Sequence, residues 1–101
     1  MARKAIGRAK DLGEAPLNAV KIGRKNILLA RVGKQYFALG NICTHDKCWL
    51  SGGKLEGDTV RCRCHGSVFN VKTGAVVHGP AERPEPVFSV TEAEGELFID
   101  L

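Results

Sequence analysis

The chain has 101 residues, 44% of them apolar, and fifteen Lys and Arg against eleven Asp and Glu give it a formal net charge of +4. That length holds one domain, residues 1–101, with its own core and no room for a separate catalytic domain. No run approaches eighteen consecutive apolar residues, and the start, MARKAIGRAK, lacks an apolar stretch of signal-peptide length, so a soluble, unexported, cytoplasmic protein without a membrane span is expected.

In chain order, part of the basic excess falls first, at Arg3, Lys4, Arg8 and Lys10. There is no helix-turn-helix or RNA-recognition signature and only six aromatics are available to stack on bases, which argues against nucleic acid. A weakly bound acidic partner is the more economical use of the charge. AKDLGEAPL offers one helical turn, limited by Gly13 and Pro16. Short strands cut by turns come next: NAVKIG and NILLARV around RK, then VGKQ turning into YFALG. DTVRC, SVFNV and AVVHG are three more strands, with KTG as the turn between the last two. PVFSV and ELFIDL flank the turn-like TEAEG. The predicted class is all-β, with two cysteine loops inserted at strand ends.

Those loops, CTHDKC (Cys43 to Cys48) and CRCHGS (Cys62 to Ser67), hold all four cysteines and two of the three histidines. Each offers a thiolate and an imidazole within a few residues, the preferred ligands of zinc and iron, so the coincidence points to a metal rather than to ordinary core cysteines. Cys43, His45, Cys62 and His65 would complete a tetrahedral zinc site. The spacing is unusual for zinc, because the pairs are mixed and Cys43 and His45 are one residue apart, with sixteen residues between His45 and Cys62. Two metals are also served if both thiolates bind one iron and both imidazoles the other, the ligand set of a Rieske 2Fe-2S centre. With two ferric ions, two sulfides and two thiolates the formal charge is zero, and an electron enters a neutral cluster more easily. The potential is therefore expected in the window of roughly −150 to +300 mV rather than near about −400 mV.

The C-x-H and C-x-x-H boxes resemble those of the Rieske family, and FNVKTGAVVHGPA resembles the hairpin and proline loop that follow the second box there. The resemblance implies an antiparallel β-sandwich or barrel base with an inserted cluster-binding subdomain at about 41–81. It also implies one 2Fe-2S cluster with Cys43 and Cys62 on the inner iron and His45 and His65 on the outer. Pro80 would sit in the loop covering the third side. In the Rieske proteins of cytochrome bc complexes, which the boxes also resemble, the positions of Cys48 and Cys64 carry a bridging disulfide. Closing that loop would stabilise the fold by about 3 kcal/mol; the alternative to the disulfide is a pair of small buried thiols. Gly66 and Ser67 also match that subgroup, and the Ser67 hydroxyl could hydrogen-bond a bridging sulfide. Phe69 stands where a tyrosine is expected and Arg63 where a proline is common; His78 is assigned no role.

A soluble single-domain protein of this kind resembles the ferredoxins that pass single electrons from a reductase to a ring-hydroxylating oxygenase. It would be a monomeric carrier, not an enzyme, and its redox partners would present an acidic docking surface. The alternatives are a respiratory carrier of raised potential, favoured by the cysteine pair and Ser67, and a zinc-stabilised interaction module.

Overall fold

The computed structural model describes residues 3–8, 15–44, 47–64 and 66–100. These form β1 (Arg3–Arg8), β2 (Leu17–Ile22), β3 (Lys25–Val32), β4 (Gln35–Gly40), β5 (Lys54–Glu56), β6 (Thr59–Arg61), β7 (Val68–Asn70), β8 (Val76–His78), β9 (Val87–Ala93) and β10 (Glu96–Asp100), with one 3-10 turn at Leu50–Gly52. A six-stranded antiparallel half-barrel runs in the order β1-β10-β9-β4-β3-β2, and a four-stranded sheet in the order β5-β6-β7-β8. The all-β class expected from the sequence is the class observed. Most of the candidate helix, residues 9–14, lies outside the described residues, and Ala15 and Pro16 lead directly into β2.

Alternation in β3 explains why ILLA is apolar without interruption. Successive side chains of a strand point to opposite faces. Ile27 and Leu29 join Ala38, Leu97 and Ile99 in one core, while Leu28 and Ala30 face a second core with Leu39, Leu50, Val60 and Phe69. Both faces of β3 are thus buried, which removes the polar half of the usual strand pattern. The second core also contains Cys43 and Cys62, so the two thiols belong to the hydrophobic interior that joins the sheets.

Register decides which end of the half-barrel carries the cysteine loops. Ile22 pairs with Lys25, Ile27 with Gly40 and Val32 with Gln35, so the β2–β3 turn and the exit of β4 share one end while the β3–β4 turn lies at the other. The chain leaves the base at Gly40 and returns beside it, where Gly40 N–H donates to Pro86 O at 2.9 Å. Everything between, including both cysteine loops, stands on that end.

Candidate metal centre

The two cysteine loops are built alike. Ile42 bridges to Trp49 across the first and Arg61 pairs with Val68 across the second, so each pair of flanking residues encloses six. In the first, Cys43 N–H donates to Cys48 O (2.7 Å) and Lys47 N–H to Cys43 O (3.1 Å). In the second, Cys62 N–H donates to Ser67 O (2.8 Å) and Gly66 N–H to Cys62 O (3.1 Å). Lys47 and Gly66 occupy the same place and share positive φ, 62° and 78°. Glycine takes that conformation without penalty, whereas a lysine there costs about 1–2 kcal/mol. Cys43 therefore corresponds to Cys62, and Cys48 to Ser67.

Cys43 and Cys62 are buried and lie outside any disulfide. Cys48 and Cys64 are joined by a disulfide, with Cα atoms 6.5 Å apart, which ties one loop to the other. The Sγ atoms of Cys48, Cys62 and Cys64 all lie within 4.8 Å of one another, so the bridge packs beside the Cys62 thiol. Two of those sulfurs are consumed by the bridge. That leaves Cys43 and Cys62, one at the start of each matching loop, as the thiols outside the bridge that could hold a metal. His45 and His65 lie outside the described residues.

The segment after β8 forms a third wall. Ala81 is buried and its N–H donates to Ser67 Oγ at 3.0 Å, while Ser67 itself is fully buried. Accepting from Ala81 leaves the Ser67 proton available to donate elsewhere. Thr44 Oγ1 donates to Arg83 O at 2.7 Å, and the Thr44 N–H donates to the Glu85 carboxylate, so the same segment grips the first loop twice. Pro80 is exposed at the start of this wall.

Glu85 was not singled out by the sequence. It is only 4% exposed, a Cβ on Gly40 would run into its Oε1, and its Oε2 has no hydrogen-bond partner among the described residues. Burial pushes its carboxyl up to about 7, against the opposing pull of the Thr44 N–H. The folded protein then holds a proton that the unfolded chain releases near pH 4.5, so stability declines as pH rises from about 4.5 to 7. Glu85→Gln should leave stability near the wild-type value at pH 4.5 and exceed it by roughly 3 kcal/mol above pH 7. Urea midpoints of both proteins at pH 5 and pH 8 check this, and an equal difference at the two pH values would exclude a neutral buried acid.

Two more residues support the first loop without any motif to announce them. Asn41 is buried, its Nδ2 donates to Ser51 Oγ at 3.1 Å and its Oδ1 accepts from Ser51 N–H at 2.7 Å, which locks the loop to the 3-10 turn. Trp49 is 50% exposed and lines a surface hollow with Lys47, Arg63 and the disulfide. Phe69 is fully buried in the core that holds both thiols, and His78 is exposed at the end of β8.

Residues 2–92 match the family model of the Rieske 2Fe-2S domain. Ferredoxin CarAc of Metapseudomonas resinovorans is 37% identical over 92 residues, covering 90% of this chain and 86% of that protein. Sulredoxin of Sulfurisphaera tokodaii is 38% identical over 79 residues, covering 76% of this chain and 71% of its own length. Among solved structures, a chain from the complex of reduced oxygenase and oxidized ferredoxin in carbazole 1,9a-dioxygenase superimposes with a TM-score of 0.88 at 35% identity, covering 96% of this chain and 91% of the other.

Proposed function

The chain belongs to the Rieske 2Fe-2S domain family, and from that membership we propose how it works as a one-electron carrier from a reductase to an oxygenase: Cys43 and Cys62 hold the inner iron of one cluster and His45 and His65 the outer. The observation that carries the reading is the pair of matching loops, each presenting a buried cysteine to the same core. The donor set fits the group, because two thiolates outside any disulfide with two imidazoles leave the oxidised cluster formally neutral. When bound, the cluster supplies a one-electron couple.

The protein's own groups set the conditions for that couple. Leu50, Val60 and Phe69 exclude water around the two thiols, and the Cys48–Cys64 bridge holds the loops at a fixed separation. Ser67, with its oxygen occupied by Ala81 N–H, has its proton left for a sulfur acceptor. No helix among the described residues is long and apolar enough to cross a membrane. We place the carrier in the cytoplasm with its reductase and oxygenase. No substrate is transformed on the chain, so it is a carrier, not an enzyme.

A second reading, a carrier of raised potential serving another redox chain, is favoured by the disulfide and by Ser67. The midpoint potential separates the two. Ser67→Ala should lower it, since a hydrogen bond to a charged acceptor is worth about 1.5 kcal/mol, or about 65 mV for one electron. Protein-film voltammetry of both proteins at pH 7 tests this, and an unchanged potential would remove Ser67 from the electron-accepting environment. Rhombic EPR after dithionite reduction, with iron and sulfide analysis, tests the cluster itself; a colourless protein containing zinc would overturn the function.

A further inference from the structure

We propose that Arg24 and Lys25, with Lys21 and Lys4 behind them, form a strip on which the acidic face of a partner redox protein docks beside the first cysteine loop. The inference rests on the electron-carrier reading and specifies where the partner sits.

The strip is assembled by register. The β2–β3 turn, which carries Arg24, lies at the same end of the half-barrel as the exit of β4 toward Cys43. Strand β1 starts at that end too, because Arg3 pairs with Asp100, Asp100 with Ser89, and Leu39 with Val87. Lys4, Lys21, Arg24 and Lys25 are all exposed there. One surface hollow is lined by Lys4, Lys21, Arg24 and Lys25, and an adjoining one shares Arg24 and Lys25 and runs on to Ile42 and Thr44. The strip therefore reaches the residue between Cys43 and His45.

Charge specifies the occupant. Among the described residues the ion pairs are Arg3 with Asp100 and Arg61 with Glu56, so none of the four cations is neutralised by a carboxylate in this way. Glu85 also lines the second hollow, but its carboxyl lies beneath the surface. Lys25 Nζ sits 5.3 Å from the centroid of the Phe88 ring, which holds the ammonium at the strip rather than out in solvent. Four adjacent cations in a concave, partly apolar surface attract a carboxylate-rich patch and speed its encounter. A carrier that must bind and leave at every turnover is served by such rapid, salt-sensitive docking rather than by a large apolar interface.

The test is the oxidation of dithionite-reduced holoprotein in a stopped-flow instrument by plastocyanin, an acidic blue-copper acceptor, and by cytochrome c, a basic haem acceptor. At low ionic strength the Arg24→Glu/Lys25→Glu double variant should react about tenfold more slowly with plastocyanin and faster with cytochrome c, and added salt should erase both differences. Lys34→Glu carries a charge reversal to the β3–β4 turn, roughly 23 Å away at the other end of β3. It should change either rate less than about twofold. Arg24→Glu alone should show the same directions with a smaller effect, which guards against a defect specific to Lys25. Equal responses to reversal at positions 24 and 34, or no response at either, would overturn the strip. Failure of the reduced wild-type protein to transfer electrons to either acceptor would instead overturn the carrier reading.

Discussion

Alanine at Cys43 or at Cys62 should give protein that folds but purifies without visible absorbance, with iron and acid-labile sulfide falling from about two of each per chain to near zero. Each thiolate is one of only two anionic protein ligands in the proposed set, and alanine leaves an iron underligated with no other thiol to replace it. The remaining two sulfurs are already joined in the Cys48–Cys64 bridge. His45→Ala and His65→Ala should lose the cluster for the same reason. Cys48→Ser makes the contrast: it should retain iron while losing about 3 kcal/mol of stability, because it opens the cross-link and spares the ligands. Metal and sulfide analysis of the freshly purified variants decides between these roles. Full occupancy in Cys43→Ala or Cys62→Ala would remove that residue from the ligand set.

Gly74→Ala should destabilise the protein by about 3 kcal/mol, adding a left-handed backbone penalty to an overpacked contact. Gly74 has φ of 78°, and a Cβ there would overlap the carbonyl oxygen of Glu85 and crowd Val87. The contact is also functional in its reach. Glu85 N–H donates to Gly74 O at 2.9 Å, and the Glu85 carboxylate accepts from Thr44 N–H between two proposed ligands. Displacing this segment should therefore shorten the lifetime of the bound cluster as well as lower the urea midpoint. Gly33→Ala isolates the backbone term, since Gly33 has φ of 63° with nothing near its missing side chain, and it should cost about 1 kcal/mol. Equal losses in the two variants would mean that packing against Glu85 contributes nothing.

Much of the fold is legible in local pattern. The β2–β3–β4 meander follows from apolar runs separated by GR and GK, where Gly23 and Gly33 adopt the positive φ that two-residue turns require. Two strands escape such reading. In β1 most side chains are exposed and Ile6 alone packs against the core, so its six residues carry no alternating apolar signal. Strand β5 has a single apolar residue, Leu55, between the exposed charges of Lys54 and Glu56 and with glycines on either side, so it carries neither an apolar run nor an alternation. The expected TEAEG turn is shorter than its composition suggests: Thr91, Glu92 and Ala93 continue β9, because pairing with Phe98, Leu97 and Glu96 outweighs the weak strand preference of Glu92 and Ala93.

By itself the sequence determined that the chain is a Rieske 2Fe-2S protein, because a proposed donor set such as Cys43-x-His45 and Cys62-x-x-His65 depends on side-chain type and short-range spacing alone. It also determined the all-β class, through turn residues and alternation along individual strands. Tertiary structure alone decided the rest. The equivalence of Lys47 with Gly66 rests on the Ile42–Trp49 and Arg61–Val68 pairings, which different sequences in the two loops conceal. The burial of Glu85 depends on Gly40, forty-five positions earlier, leaving room for its carboxyl. Lys4 reaches Arg24 only because β1 and β2 form the two edges of one curled sheet. Each of these depends on contacts between segments far apart in the chain, whose partners are chosen by how the whole core packs and not by any local preference.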